Sequence, residues 1–171
     1  MPVQRLNHAV LYVRDVRRSV DFYSAVLGFR QVMAMPGAAF LQAEGSTNDH
    51  DLGLFEIGPD AAASPAGRGA VGLYHLAWEV DTLDELERIA GRLAEHGALA
   101  GASDHATTKA LYAKDPDGLE FEVSWLVPAA LLTEDVLARK DRIGRLDLAA
   151  DKARYGADTP GGIGVSVAAV R

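Results

Sequence analysis

Two stretches of this chain follow one pattern sixty-seven positions apart, and that repeat limits the possible folds more than any other feature. "RLNHAVLYVRD" opens the first and "GLYHLAWEVD" the second, with His8 in register with His75 and Val13 with Val80. Each reads as a strand with a histidine at its centre. Leu6, His8, Val10 and Tyr12 alternate onto one face, and Ala9, Leu11 and Val13 onto the other. After the first strand, Asp15 is positioned to cap a helix over 16–27, where Val16, Val20, Tyr23 and Leu27 recur at helical spacing and Gly28 supplies the stop. Strands over 29–35, 40–43 and 52–57 follow, the last two separated by the polar loop "EGSTNDHD". After the second strand comes a helix over 83–96 ending at Gly97, then "ALYAK", the turn "DPDG" with Pro second and Gly fourth, and the strand "LEFEVSW". The plan is β-α-β-β-β written twice.

The organisation expected is one α+β domain. It comprises a first module over 1–60, a linker over 61–70 ("AAASPAGRG"), a second module over 71–126 and a C-terminal helical appendage over 127–171. In the appendage, Thr133 is a cap followed by Glu134 and Asp135, so one or two short helices are expected before the turn-forming "TPGGIG". The appendage carries no chemical motif.

Burying an imidazole twice in matched settings calls for a shared task. "LFEI" aligns with "EFEV" at an offset of 66, pairing Glu56 with Glu122, so each module is expected to turn one histidine and one glutamate inward. The chain has no cysteine, so a metal here is held by nitrogen and oxygen alone. Two neutral imidazoles and one carboxylate with open positions suit a redox-active divalent iron that also binds substrate and dioxygen. His8, His75 and Glu122 are the candidate ligands. Seventeen basic residues stand against 24 acidic ones, a net charge of −7, which argues against nucleic-acid or anionic-membrane partners. With no charged-then-apolar leader and no membrane-length apolar run, the expected location is cytoplasmic.

"HAVLYVRDVRRSVDFYSAVLGF", "GLYHLAWEVD" and "LYAKDPDGLEFEV" together resemble the vicinal oxygen chelate superfamily, which includes glyoxalase I, type I extradiol dioxygenases, acyl-CoA epimerases and fosfomycin and bleomycin resistance proteins. The resemblance implies paired βαβββ modules whose strands curl into an open barrel around a metal. Within that group the chain is most similar to extradiol dioxygenases of the single-domain catechol 2,3-dioxygenase kind. That likeness implies three further roles. His50, in "NDHDLGLF", would be the acid/base that binds dioxygen, turned inward by the alternation 50, 52, 54, 56. His105, in "SDHATTKALY", would be the loop histidine beside the substrate. Tyr112, ten residues before Glu122, would hydrogen-bond the substrate hydroxyl. The implied reaction converts a catechol and dioxygen to a 2-hydroxymuconic semialdehyde at Fe(II), with Mn(II) a workable substitute. Leu52, Leu54, Ala77 or Val10 are expected to wall the ring. A homodimer or higher homo-oligomer is implied too.

Two alternatives remain open. With Glu56 as a fourth ligand beside His8, His75 and Glu122, a Ni(II) or Zn(II) centre would suit glyoxalase-type isomerisation or acyl-CoA epimerisation. A non-catalytic drug-binding protein is the third reading, though it has no need of the ligand-type residues. His96, at a helix C-terminus, is read as structural.

Overall fold

Asp15 and Gly28 bound the first helix as their chemistry dictates. In the computed structural model, which describes residues 2–3, 5–67 and 69–162, α1 runs Val16–Leu27. The Asp15 carboxylate accepts from the Arg18 N–H, and Gly28 closes the helix in the left-handed region at φ 71°. The strands are β1 (Ala9–Val13), β2 (Arg30–Met35), β3 (Ala38–Gln42) and β4 (Leu52–Glu56), hydrogen-bonded in the order β1-β4-β3-β2. β1 runs parallel to β4 and the other pairs are antiparallel. Leu11, Val13, Leu41, Leu52, Leu54, Phe22, Tyr23 and Val26 are buried and form the core between this sheet and α1. Each fully buried aliphatic contributes roughly 1.5–3 kcal/mol.

The opposite face carries Val10 and Tyr12, 52% and 71% exposed, so the histidine-bearing side of β1 is the helix-free side. Leu52 and Leu54 therefore do not wall a cavity, as the sequence pattern had suggested. They lie under α1, because β4 pairs Leu52 with Ala9 and Leu54 with Leu11.

Residues up to Pro65 form one compact unit together with the turn Asp115–Gly118. Asp117, almost fully buried, accepts from the Arg14 backbone N–H and from the guanidinium groups of Arg14 and Arg18. The Tyr23 hydroxyl donates to Asp115 at 3.2 Å. Burial, reinforced by the Asp115 charge, pushes that phenol well above its usual range, so it remains a donor.

The second unit, Ala66–Lys114 and Leu119 onward, repeats the plan. It contains β5 (Leu76–Glu79), α2 (Leu83–Glu95), β6 (Leu99–Asp104), β7 (Thr108–Lys114) and β8 (Glu120–Leu126) in the order β5-β8-β7-β6, again with only the first pair parallel. Thr82 caps α2 by accepting from the Glu85 N–H, and His96 closes it. Its Nδ1 lies 2.8 Å from the Arg92 carbonyl, the structural role expected of it. Leu83, Leu86, Ile89 and Leu93 of α2 are buried, as are Leu111, Phe121, Val123 and Trp125 of the sheet.

The appendage forms α3 (Glu134–Leu137), with Thr133 accepting from the Val136 N–H as its cap, and α4 (Leu148–Tyr155). Beyond α4 the chain crosses Trp125, whose indole N–H donates to the Thr159 carbonyl. Gly161 allows this close approach, since a Cβ there would stand 2.7 Å from Trp125 Nε1. Of "TPGGIG", the part from residue 163 lies outside the described residues. Among the described residues, no helix is long and apolar enough to cross a membrane.

Candidate active site

Strand pairing in the second unit sets three of the expected site side chains side by side. Glu122 on β8 lies opposite Tyr112 on β7 and opposite Ala77 on β5, and His75 shares the Ala77 face two residues upstream. His75 Nε2 is 3.3 Å from Glu122 Oε2, and the His75 and Tyr112 ring centroids are 6.1 Å apart. The alternate residues Phe121 and Val123 face α2, so the even-numbered face is left for chemistry.

Tyr112 is bound to two partners. Its Oη lies 2.9 Å from His105 Nε2 and receives a hydrogen bond from Ser103 Oγ at 3.2 Å. Ser103 Oγ and His105 Nε2 are themselves 2.8 Å apart. The histidine and tyrosine expected to act separately are thus one hydrogen-bonded triangle. Ser103 is the member that sequence reading missed. Its signal was present in "SDH", where a small hydroxyl two residues before the histidine stands on the β6 strand facing β7.

In the first unit, His8 and His50 come together. Their ring centroids are 4.6 Å apart, and Phe40 packs edge-on to His50 at 5.0 Å. His50 does not owe this position to strand alternation, because it lies in the loop before β4 and Leu52 and Leu54 turn the other way. His8 Nδ1 is 2.8 Å from Asn7 Oδ1, and His50 Nδ1 is 2.9 Å from Asp49 Oδ2. With Nδ1–H donating to these acceptors, Nε2 of each ring is the atom left free for a ligand or a proton. His50 Nε2 is buried and, among the described residues, has no hydrogen-bond partner.

Glu56 is not the counterpart of Glu122. The offset of 66 matched "FE" with "FE", but the ladders say otherwise. Gly53 pairs with Val10 and Phe40 as Glu122 pairs with Ala77 and Tyr112. Glu56 instead accepts the Val16 N–H at 3.0 Å, beside Asp15, at the positive N-terminal end of α1. Its charge is spent on the helix. Glu56→Gln should therefore leave the metal content of the protein unchanged and lower its stability by about 0.3–1 kcal/mol, checked by elemental analysis and thermal unfolding.

The spacing of the His75–Glu122 pair is compatible with a shared divalent ion. Two ligand atoms 3.3 Å apart subtend about 100° at an ion with bonds of about 2.1 Å, close to the angle between adjacent ligands of a first-row metal. His75 Nδ1, on the other side of the ring, is buried and without a hydrogen-bond partner among the described residues. Among the described residues no three His, Asp or Glu side chains are gathered into a metal-holding group; the donors stand as two sets, one on each unit.

Residues 5–123 match the family model of the glyoxalase/bleomycin resistance protein/dioxygenase superfamily. The chain is 37% identical over 118 residues to catechol-2,3-dioxygenase of Bacillus subtilis, a match covering 69% of this chain and 40% of that protein. It is 31% identical over 123 residues to lactoylglutathione lyase of Neisseria meningitidis, covering 69% of this chain and 88% of the relative. The chain thus spans well under two thirds of the dioxygenase and most of the lyase. A crystal structure of a glyoxylase/bleomycin resistance protein/dioxygenase domain from Frankia shares the fold, with a TM-score of 0.61 at 21% identity over 72% of this chain and 92% of that one. Two βαβββ units with matched histidines, and a family match that runs across both of them, have one reading: the chain belongs to the glyoxalase/bleomycin resistance/dioxygenase superfamily.

Proposed function

We propose that the protein is an extradiol dioxygenase that cleaves the ring of a catechol, using a non-haem Fe(II) held by His8, His75 and Glu122, with Mn(II) able to substitute. The observation that carries this reading is the Ser103–His105–Tyr112 triangle beside the His75–Glu122 pair. When bound, ferrous iron supplies a Lewis acid and one-electron redox partner for a diol and dioxygen.

This chain's own groups handle the protons. A catechol binds as its monoanion, so one hydroxyl proton must leave as the diol arrives. Three polar atoms within 3.2 Å of one another, all on Ser103, His105 and Tyr112, can take up and pass a proton without moving a heavy atom. Tyr112 Oη, across the ladder from Glu122, is placed to hydrogen-bond the oxygen that loses it. His50, once its buried and unpaired Nε2 has taken up a proton, serves as the acid that protonates oxygen for ring opening. Val10 and Ala77, on the helix-free faces of their sheets, offer apolar contact for an aromatic ring. Self-association as a homodimer or higher homo-oligomer belongs to the same reading. It is supported by the apolar area that Tyr12, Met33 and Met35 leave open on the first sheet.

A second reading, glyoxalase-type isomerisation, is supported by the near full-length match to a lactoylglutathione lyase. It calls for a carboxylate opposite Glu122, and Gly53 and the α1-bound Glu56 count against it. Anaerobic Fe(II) reconstitution followed by oxygen uptake with a panel of catechols separates the two. Oxygen consumption with a yellow ring-opened product supports the dioxygenase, whereas turnover of a hemithioacetal without catechol cleavage reverses the choice. Tyr112→Phe should retain the metal and lower kcat by about ten- to a hundredfold, the scale of one lost catalytic hydrogen bond.

A further inference from the structure

The turn that carries His105 is held from outside the repeat. His105, Ala106 and Thr107 link β6 to β7 so tightly that Ala106 adopts a left-handed φ of 62°, a conformation that a residue with a Cβ keeps only when its neighbours enforce it. The enforcing contacts converge on Asp104. Its backbone N–H and carbonyl both pair with Gly144 of the appendage, at 3.0 and 2.8 Å. Its carboxylate accepts from the Ala106 N–H at 2.7 Å and from Lys109 Nζ at 2.6 Å. Lys109 is 2% exposed and also reaches Asp151 of α4 at 3.0 Å, with its ammonium 5.7 Å from the centre of the Tyr155 ring. Lys109 and Tyr112 point to opposite faces of β7, so the lysine meets the site only through the turn.

We propose that the C-terminal appendage is a positioning brace for His105: Gly144, Lys109 and Asp151 hold Asp104, and Asp104 fixes the turn that keeps His105 against Tyr112. The brace gives the appendage, in which the sequence offers no chemical motif, a part in the chemistry. It rests on the dioxygenase reading only for the kinetic consequence. The geometry of the turn stands by itself.

A buried ammonium between two carboxylates is a sensible fastener. Lys109 and Asp151 are both buried, and burial raises the Asp151 carboxyl while Lys109 opposes the rise. Removing one acid loosens the anchor without touching His105, Tyr112 or Glu122. Loss of precise placement at a catalytic hydrogen bond costs up to about a hundredfold in rate.

The test uses Asp151→Ala in the full chain, with Asp151→Asn, which keeps an acceptor oxygen, as the milder companion should the alanine variant not fold. In the metal-free protein, imidazole nitrogen NMR is expected to show the His105 resonances shifted toward a free ring in Asp151→Ala and less so in Asp151→Asn. His96 should be unmoved. With Fe(II) restored, kcat for a catechol should fall about tenfold with KM nearly unchanged. In a His105→Ala background the same substitution should cost nothing further, because both act through one hydrogen bond. Unchanged His105 resonances in the folded variants would overturn the brace, and so would equal rate losses with and without His105. Shifted resonances in a protein that turns over no catechol would keep the brace and sink the dioxygenase reading.

Discussion

Glu122→Ala protein is expected to purify folded, to retain no iron after anaerobic reconstitution, and to consume no oxygen with any catechol. The expectation follows from where the carboxylate stands. Glu122 lies on the helix-free face of β8, while its neighbours Phe121 and Val123 carry the packing against α2. Truncation therefore leaves the core intact. What it removes is the one negative charge in a proposed set of two imidazoles and a carboxylate. It also leaves His75 Nε2 without the oxygen now 3.3 Å away. A divalent ion held by three donors cannot lose the only anionic one and remain at micromolar concentrations. His75→Ala should behave alike, with activity down by at least about a thousandfold. Elemental analysis against a circular dichroism control checks both. Full iron content in either folded variant would remove the proposed ligand set.

Much of this was legible because local chemistry and long-range repeat agreed. Asp15, the apolar spacing to Leu27 and Gly28 determine α1 to the residue. The two histidines lie at equivalent places because the offset of 67 is free of insertions from His8 to Val13, but each stands immediately before its strand rather than at its centre, and His8 is exposed rather than buried. Glu56 was not legible for the opposite reason. The loops before β4 and β8 differ in length, so matching "FE" with "FE" slips the ladder, and only the cross-strand partners of Gly53 reveal the slip. Leu52 and Leu54 were misread with it, since a register error sends every side chain to the other face. Lys109 and Asp151 were beyond any sequence pattern. Their ion pair joins β7 to a helix forty residues on, and neither position departs from ordinary surface composition.

His50→Phe should give the contrasting result, full iron content with kcat lowered by about a hundred- to ten-thousandfold, the range for loss of a general acid or base. The variant suits its surroundings. The His50 ring already lies 5.0 Å from Phe40 and 4.6 Å from His8, so a second aromatic ring keeps the packing while losing the nitrogen. That nitrogen is the informative atom. Nε2 is buried and has no hydrogen-bond partner among the described residues, and with Nδ1–H donating to Asp49 it is the atom that can take up and give a proton. A polar atom left so costs about 1–3 kcal/mol unless something meets it during the protein's work. Dioxygen and the oxygen atoms derived from it are suitable occupants, since each must collect a proton before the ring opens. The rate deficit should lie in kcat. It should come without change in the affinity for a catechol measured anaerobically. If His50→Phe weakened catechol binding and left kcat as it was, the imidazole would belong to the diol rather than to oxygen, and the division of labour proposed between the two histidine clusters would have to be exchanged.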